Sequence, residues 1–70
     1  MTSEKLRDGI REKIEEYINN KVQCVRLELE SKHLAYGTTI AYLQALADVE
    51  LITMDEYNFY LGTLTDRLYA

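Results

Sequence analysis

A helix start is written out in mid-chain at Leu51-Ile52-Thr53-Met54-Asp55-Glu56-Tyr57. The first turn of any helix leaves backbone N–H groups without partners, and the Thr53 hydroxyl is placed to accept one of them as N-cap. Glu56, three residues on, reaches back to the Thr53 amide and completes a capping box, while Ile52 and Tyr57 flank the cap as a hydrophobic staple. Asp55 and Glu56 also set negative charge at the positive end of the helix dipole. A helix obliged to begin here turns the chain before it and after it into an antiparallel pair.

Composition narrows the class further. Proline is absent and glycine occurs only three times in 70 residues, too few turn-formers for a sheet protein of this size. With 47% apolar residues the chain is too hydrophobic for disorder, and residues 1–70 make one domain near the lower limit for a self-sufficient core. The lone Cys24 closes no internal disulfide, and the charged N-terminus lacks the apolar segment of a signal peptide. The longest apolar stretch, Ile40 to Ala47, falls far short of the roughly 20 residues a membrane span needs. These features predict a cytoplasmic protein with no membrane partner.

Leu6, Ile10, Ile14, Tyr17, Ile18, Val22, Val25 and Leu29 recur at helical spacing and fall in one arc about 160° wide. The other faces carry the i,i+4 pairs Arg11–Glu15, Arg26–Glu30 and Glu28–Lys32, in phase with that arc. The pattern predicts a long first helix over residues 3–33, capped by Thr2 or Ser3 and weakest at Asn19-Asn20. Two alternatives stay open. A break at Asn19-Asn20 would give a compact four-helix monomer. Val25-Arg26-Leu27-Glu28-Leu29-Glu30 alternates as a strand would, which leaves a short strand over residues 22–30 as the lesser alternative, since no second run exists to pair with it.

The first bend falls at Gly37, which suits a left-handed position after a helix, or at Ser31-Lys32. A second helix over about 38–49 follows, with Tyr36, Ile40, Leu43 and Ala47 on one side; Ala41, Ala45 and Leu46 broaden that face and predict a central helix. The third helix covers about 54–69, with Tyr57, Leu61, Leu64 and Leu68 inward and Phe59 and Tyr60 at its edge or beyond. The sequence shows no internal repeat. Leu46 to Leu61 resembles the helical-hairpin turns of several short bacterial domains, a resemblance carried by the capped helix start. The fold class is therefore all-α: one long helix followed by a two-helix hairpin.

Lengths then bear on assembly. A helix of about 30 residues is roughly 45 Å long, against roughly 21 Å for one of about 14 residues. The hairpin would shelter only half of the first helix, leaving Leu6, Ile10, Ile14 and Tyr17 facing water as a dimer or partner interface. A twofold homodimer forming a helical bundle is the simplest way to cover them.

Candidates for chemistry have plainer explanations. Cys24 sits mid-helix among apolar neighbours, without the cations or helix N-terminus that activate a thiol. His33 is the one histidine, and no set of ligands accompanies it for a metal. Asp55 and Glu56 are accounted for by capping. No nucleophile motif, cofactor motif or calcium-loop spacing occurs, so neither enzymatic activity nor a cofactor is expected.

Charge and aromatics point to a surface instead. Residues 1–32 balance seven bases against seven acids, whereas residues 33–70 set Arg67 against Asp48, Glu50, Asp55, Glu56 and Asp66, so the net charge of −4 belongs to the hairpin. Six tyrosines and Phe59 supply rigid contact area. Asp48, Glu50, Phe59, Tyr60 and Asp66 make a candidate acidic and aromatic surface for a basic protein partner. A helix-turn-helix would need a basic recognition helix, so no direct nucleic-acid binding is expected. Two functional readings result: a small non-enzymatic interaction module (adaptor or regulatory subunit) acting as a homodimer, or an acidic inhibitor of phage or mobile-element type that blocks the basic surface of a nucleic-acid-binding protein.

Overall fold

In the computed structural model, described over residues 3–69, three helices run in order: α1 (Ser3–Arg26), α2 (Lys32–Asp48) and α3 (Met54–Leu68). The side chains of residues 4–69 are described, so the cap expected from Thr2 or Ser3 lies outside the described residues. Each helix packs on both of the others, giving a rod of 41 × 18 × 18 Å. Among the described residues no strand occurs, and α1 runs unbroken through Asn19-Asn20. Arg67 of α3 donates a hydrogen bond to the Asn19 side chain, so the weakest stretch of α1 is fastened from outside.

The length mismatch expected between the helices is largely absent. α1 stops at Arg26 instead of residue 33, and α2 begins at Lys32 instead of about 38. At 1.5 Å per residue the three helices measure about 36, 26 and 23 Å, so the hairpin covers most of α1. The bend falls at the Ser31 alternative, and Gly37 lies within α2. Two features end α1 early. Glu28 takes a left-handed conformation (φ 60°), and the Leu29 and Glu28 amides donate to the Cys24 and Val25 carbonyls at 2.9 and 3.0 Å. This is a Schellman motif, which closes the carbonyls a helix end leaves open. Ser31 then caps α2, its hydroxyl accepting from the Leu34 amide at 3.0 Å.

The same device recurs between α2 and α3. Glu50 is left-handed (φ 62°), and the Glu50 and Leu51 amides donate to the Ala47 and Leu46 carbonyls at 3.0 and 2.9 Å. Thr53 follows as N-cap with its full capping box, accepting from the Glu56 amide at 3.1 Å and donating its own amide to Glu56 Oε1 at 2.8 Å. Leu27-Glu28-Leu29-Glu30-Ser31 and Val49-Glu50-Leu51-Ile52-Thr53 are thus one five-residue connection used twice. The chain does contain a short repeat, confined to its turns.

The core unites Ile14, Ile18 and Val22 of α1, Ala35, Thr39 and Leu43 of α2, Ile52 of the second turn, and Tyr60, Leu64 and Leu68 of α3. Thr39 is the one polar member, and its hydroxyl donates to the Ala35 carbonyl at 2.8 Å, which removes the cost of burying it. α2 is not central: Ala41 and Ala45 are exposed, because α2 packs through the row Ala35, Thr39, Leu43 and a three-helix bundle leaves every helix an outer face. On α3 the inward face is rotated toward Tyr60, while Tyr57 and Leu61 are half-buried.

Candidate functional site

Of the four residues expected to face water on α1, two are covered by their own chain. Ile14 is 0% exposed in the core. The Tyr17 ring stacks on Tyr42 of α2, centroids 4.1 Å apart and planes within 9°, and its hydroxyl donates to the Thr38 carbonyl at 3.4 Å. Ile10 is half-buried, and Leu6 stands 60% exposed beyond it. Early termination of α1 is the cause: a hairpin that starts sooner reaches further back along its partner.

What remains open is a groove of about 390 Å³ between the first turns of α1 and the last turns of α2. Leu6, Gly9 and Ile10 form one wall and Tyr42 and Leu46 the other, with Lys5 and Lys13 along the α1 edge. Lys5, Gly9 and Lys13 follow one another at intervals of four, so they occupy a single row on the helix surface. Burial, then the neighbouring Tyr17 and Glu16, push the Tyr42 hydroxyl above the usual tyrosine range. The groove is an apolar floor bounded by positive charge.

The predicted acidic and aromatic surface is dispersed by the fold. Asp48 and Glu50 sit at the α2–α3 turn, and Asp66 lies near the far end of α3 beside Arg67. Phe59 is 67% exposed, but Tyr60 is only 5% exposed and belongs to the core, a correction to its expected place on the surface. Four-residue spacing explains it, since Tyr60, Leu64 and Leu68 form the innermost row of α3. Phe59 meets Tyr60 edge-on, centroids 5.4 Å apart, along a second open groove of about 400 Å³ shared with Arg11, Glu15, Asp55 and Glu56. The Thr53 amide, helped by the Thr53 hydroxyl and by Arg7 and Arg11, holds the Glu56 carboxyl below the usual range. The acidic end of the hairpin is therefore partly balanced by α1.

Elsewhere the polar groups serve the fold. Lys21 and Glu30 pair at 2.9 Å, a contact that raises the Lys21 ammonium above its ordinary value. Lys32 lies 4.9 Å above the Tyr69 ring, joining the start of α2 to the end of α3. Cys24 is half-buried and His33 exposed, and among the described residues no three His, Cys, Asp or Glu side chains gather as a metal ion requires.

Of the groove residues, Leu6 and Ile10 were legible from the α1 stripe. The Lys5–Gly9–Lys13 row is visible as a spacing of four but has no meaning until Tyr42 and Leu46 supply the opposite wall. A scan of family models, a search of curated proteins and a search of solved structures each return no match to the chain.

Proposed function

We propose that the chain is a small non-enzymatic helical interaction module, an adaptor or regulatory subunit, that works through the groove beside Leu6. The observation that supports this reading is the exposure of Leu6 at the head of an apolar groove, in a molecule whose other α1 stripe residues as far as Val25 are at least half-buried. A large apolar side chain left in water gives up about 1.5–3 kcal/mol that burial would return, which a docked partner recovers. The homodimeric form of the reading keeps Leu6 and Ile10 but loses Ile14 and Tyr17, so it has less surface to bury than the sequence implied. Sedimentation analysis of the wild-type chain and of Leu6→Asp tests it: a two-chain mass lost on substitution supports the homodimer, and a single-chain mass in both leaves the groove to another protein.

A second reading, the acidic inhibitor of a basic protein, draws on Asp48, Glu50, Asp55 and Glu56 flanking one turn. Capture of a basic partner that is released by moderate salt and by Asp48→Asn with Glu50→Gln supports it; binding indifferent to both discards it.

A further inference from the structure

The geometry points to the occupant of the Leu6 groove: an acidic amphipathic helix of another protein, lying across Gly9 with its apolar face on Leu6, Ile10, Tyr42 and Leu46 and its carboxylates on Lys5 and Lys13. This inference rests on the docking role proposed above and adds the partner's chemistry to it. Three observations carry it. First, among the described residues the two charged side chains lining the groove are both lysines, and Glu16, though it acts on Tyr42, is not part of the lining. Lys5 and Lys13 are eight residues apart on α1, about 12 Å, which a partner helix matches with carboxylates two turns apart. Second, the groove is open along its length between two antiparallel helices, the form that receives a third helix through apolar residues at i, i+3, i+4 and i+7.

Third, nothing among the described residues requires a glycine at position 9. It sits inside α1, where glycine disfavours the helix, yet a Cβ built there meets nothing within 4 Å. No packing contact and no turn requires it. On the groove edge, between the two lysines, the missing side chain leaves room for an incoming backbone to approach closely. Gly37 and Gly62 are likewise open, but neither lines this groove.

The test pans a random helix-forming peptide display library against the full chain, followed by affinity measurements on the selected peptides. The expected peptides carry an apolar stripe flanked by Asp or Glu seven or eight positions apart. Their affinity should fall about tenfold on Lys5→Glu with Lys13→Glu and weaken as salt is raised. Gly9→Gln should cost about tenfold in affinity. Gly9→Ala separates binding from folding: the melting temperature rises because alanine favours the helix, while the peptides bind more weakly. Selected peptides that are neutral or basic, yet lose binding on Leu6→Asp, overturn the acidic partner and leave the docking role standing. Peptides indifferent to Leu6→Asp, or a library that yields none, overturn both. A two-chain mass in solution that Gly9→Gln abolishes overturns the inference by making a second copy the occupant.

Discussion

The two connections between helices share a backbone and differ in what fastens them. Each closes the preceding helix with a left-handed glutamate, Glu28 or Glu50, and caps the next helix with a hydroxyl two residues past a leucine. In the second turn the residue before the cap is Ile52, buried in the core, and the cap is doubled by Glu56. In the first turn that position holds Glu30, which pairs with Lys21 back on α1, and Ser31 has only the Leu34 amide. One turn is therefore held by burial and the other by charge. Backbone geometry sets where a helix pair folds back, and the residue beside the cap sets how firmly.

That contrast has measurable consequences, of which the largest concerns the residue before each cap. Ile52→Ala should cost about 2–4 kcal/mol of unfolding free energy by urea titration, since it empties a core site. Glu30→Gln, the matching change in the first turn, should cost only about 1 kcal/mol and its cost should shrink in high salt. Removing the caps should reproduce the order on a smaller scale: Thr53→Ala about 1.5 kcal/mol, Ser31→Ala about 1 kcal/mol or less. Equal losses from Ile52→Ala and Glu30→Gln would erase the distinction.

The left-handed glutamates should respond alike. Glu28→Gly and Glu50→Gly should each raise stability by about 0.5–1 kcal/mol, because glycine adopts positive φ without the Cβ penalty. A gain at one position and a loss at the other would show that the two turns are not the same device. The smallest effect is on pH. The Glu56 carboxyl titrates below its ordinary value when folded, so its contribution is complete above the ordinary glutamate range and disappears as pH falls through the lowered value. Acid should therefore narrow the stability gap between wild type and Glu56→Ala, as measured by thermal melting at a series of pH values.

The same contrast explains what could be read from the sequence. The second turn was legible because cap, box and staple lie within six residues of one another, Ile52 to Tyr57. At the first turn the sequence leaves Gly37 and Ser31-Lys32 both open, since the left-handed residue is a glutamate and the third residue of α2 is Leu34, which closes no box. The parallel between Leu27-Glu28-Leu29 and Val49-Glu50-Leu51 was there to be seen, but left-handed glutamate is no part of the ordinary helix-stop signal. The expected helix end at residue 33, seven residues beyond Arg26, leaves Ile14 and Tyr17 in water, whereas Ile14 lies in the core and Tyr17 stacks on Tyr42. Tyr60 was misplaced for a subtler reason, because the aromatic rings of α3 occupy adjacent rows and the choice between them depends on α1. Leu6 and Ile10 survive as candidate site residues, being beyond the reach of either error.

Unfolding free energy measured for Leu6→Ala beside Ile14→Ala, at low and high protein concentration, tests the division between folding and docking on α1 most directly. Ile14→Ala should lose about 3 kcal/mol, Leu6→Ala should stay within about 0.5 kcal/mol of wild type, and neither value should move with concentration. A Leu6→Ala loss as large as that of Ile14→Ala and equal at both concentrations would mean that Leu6 belongs to the core of the single chain and would contradict the account.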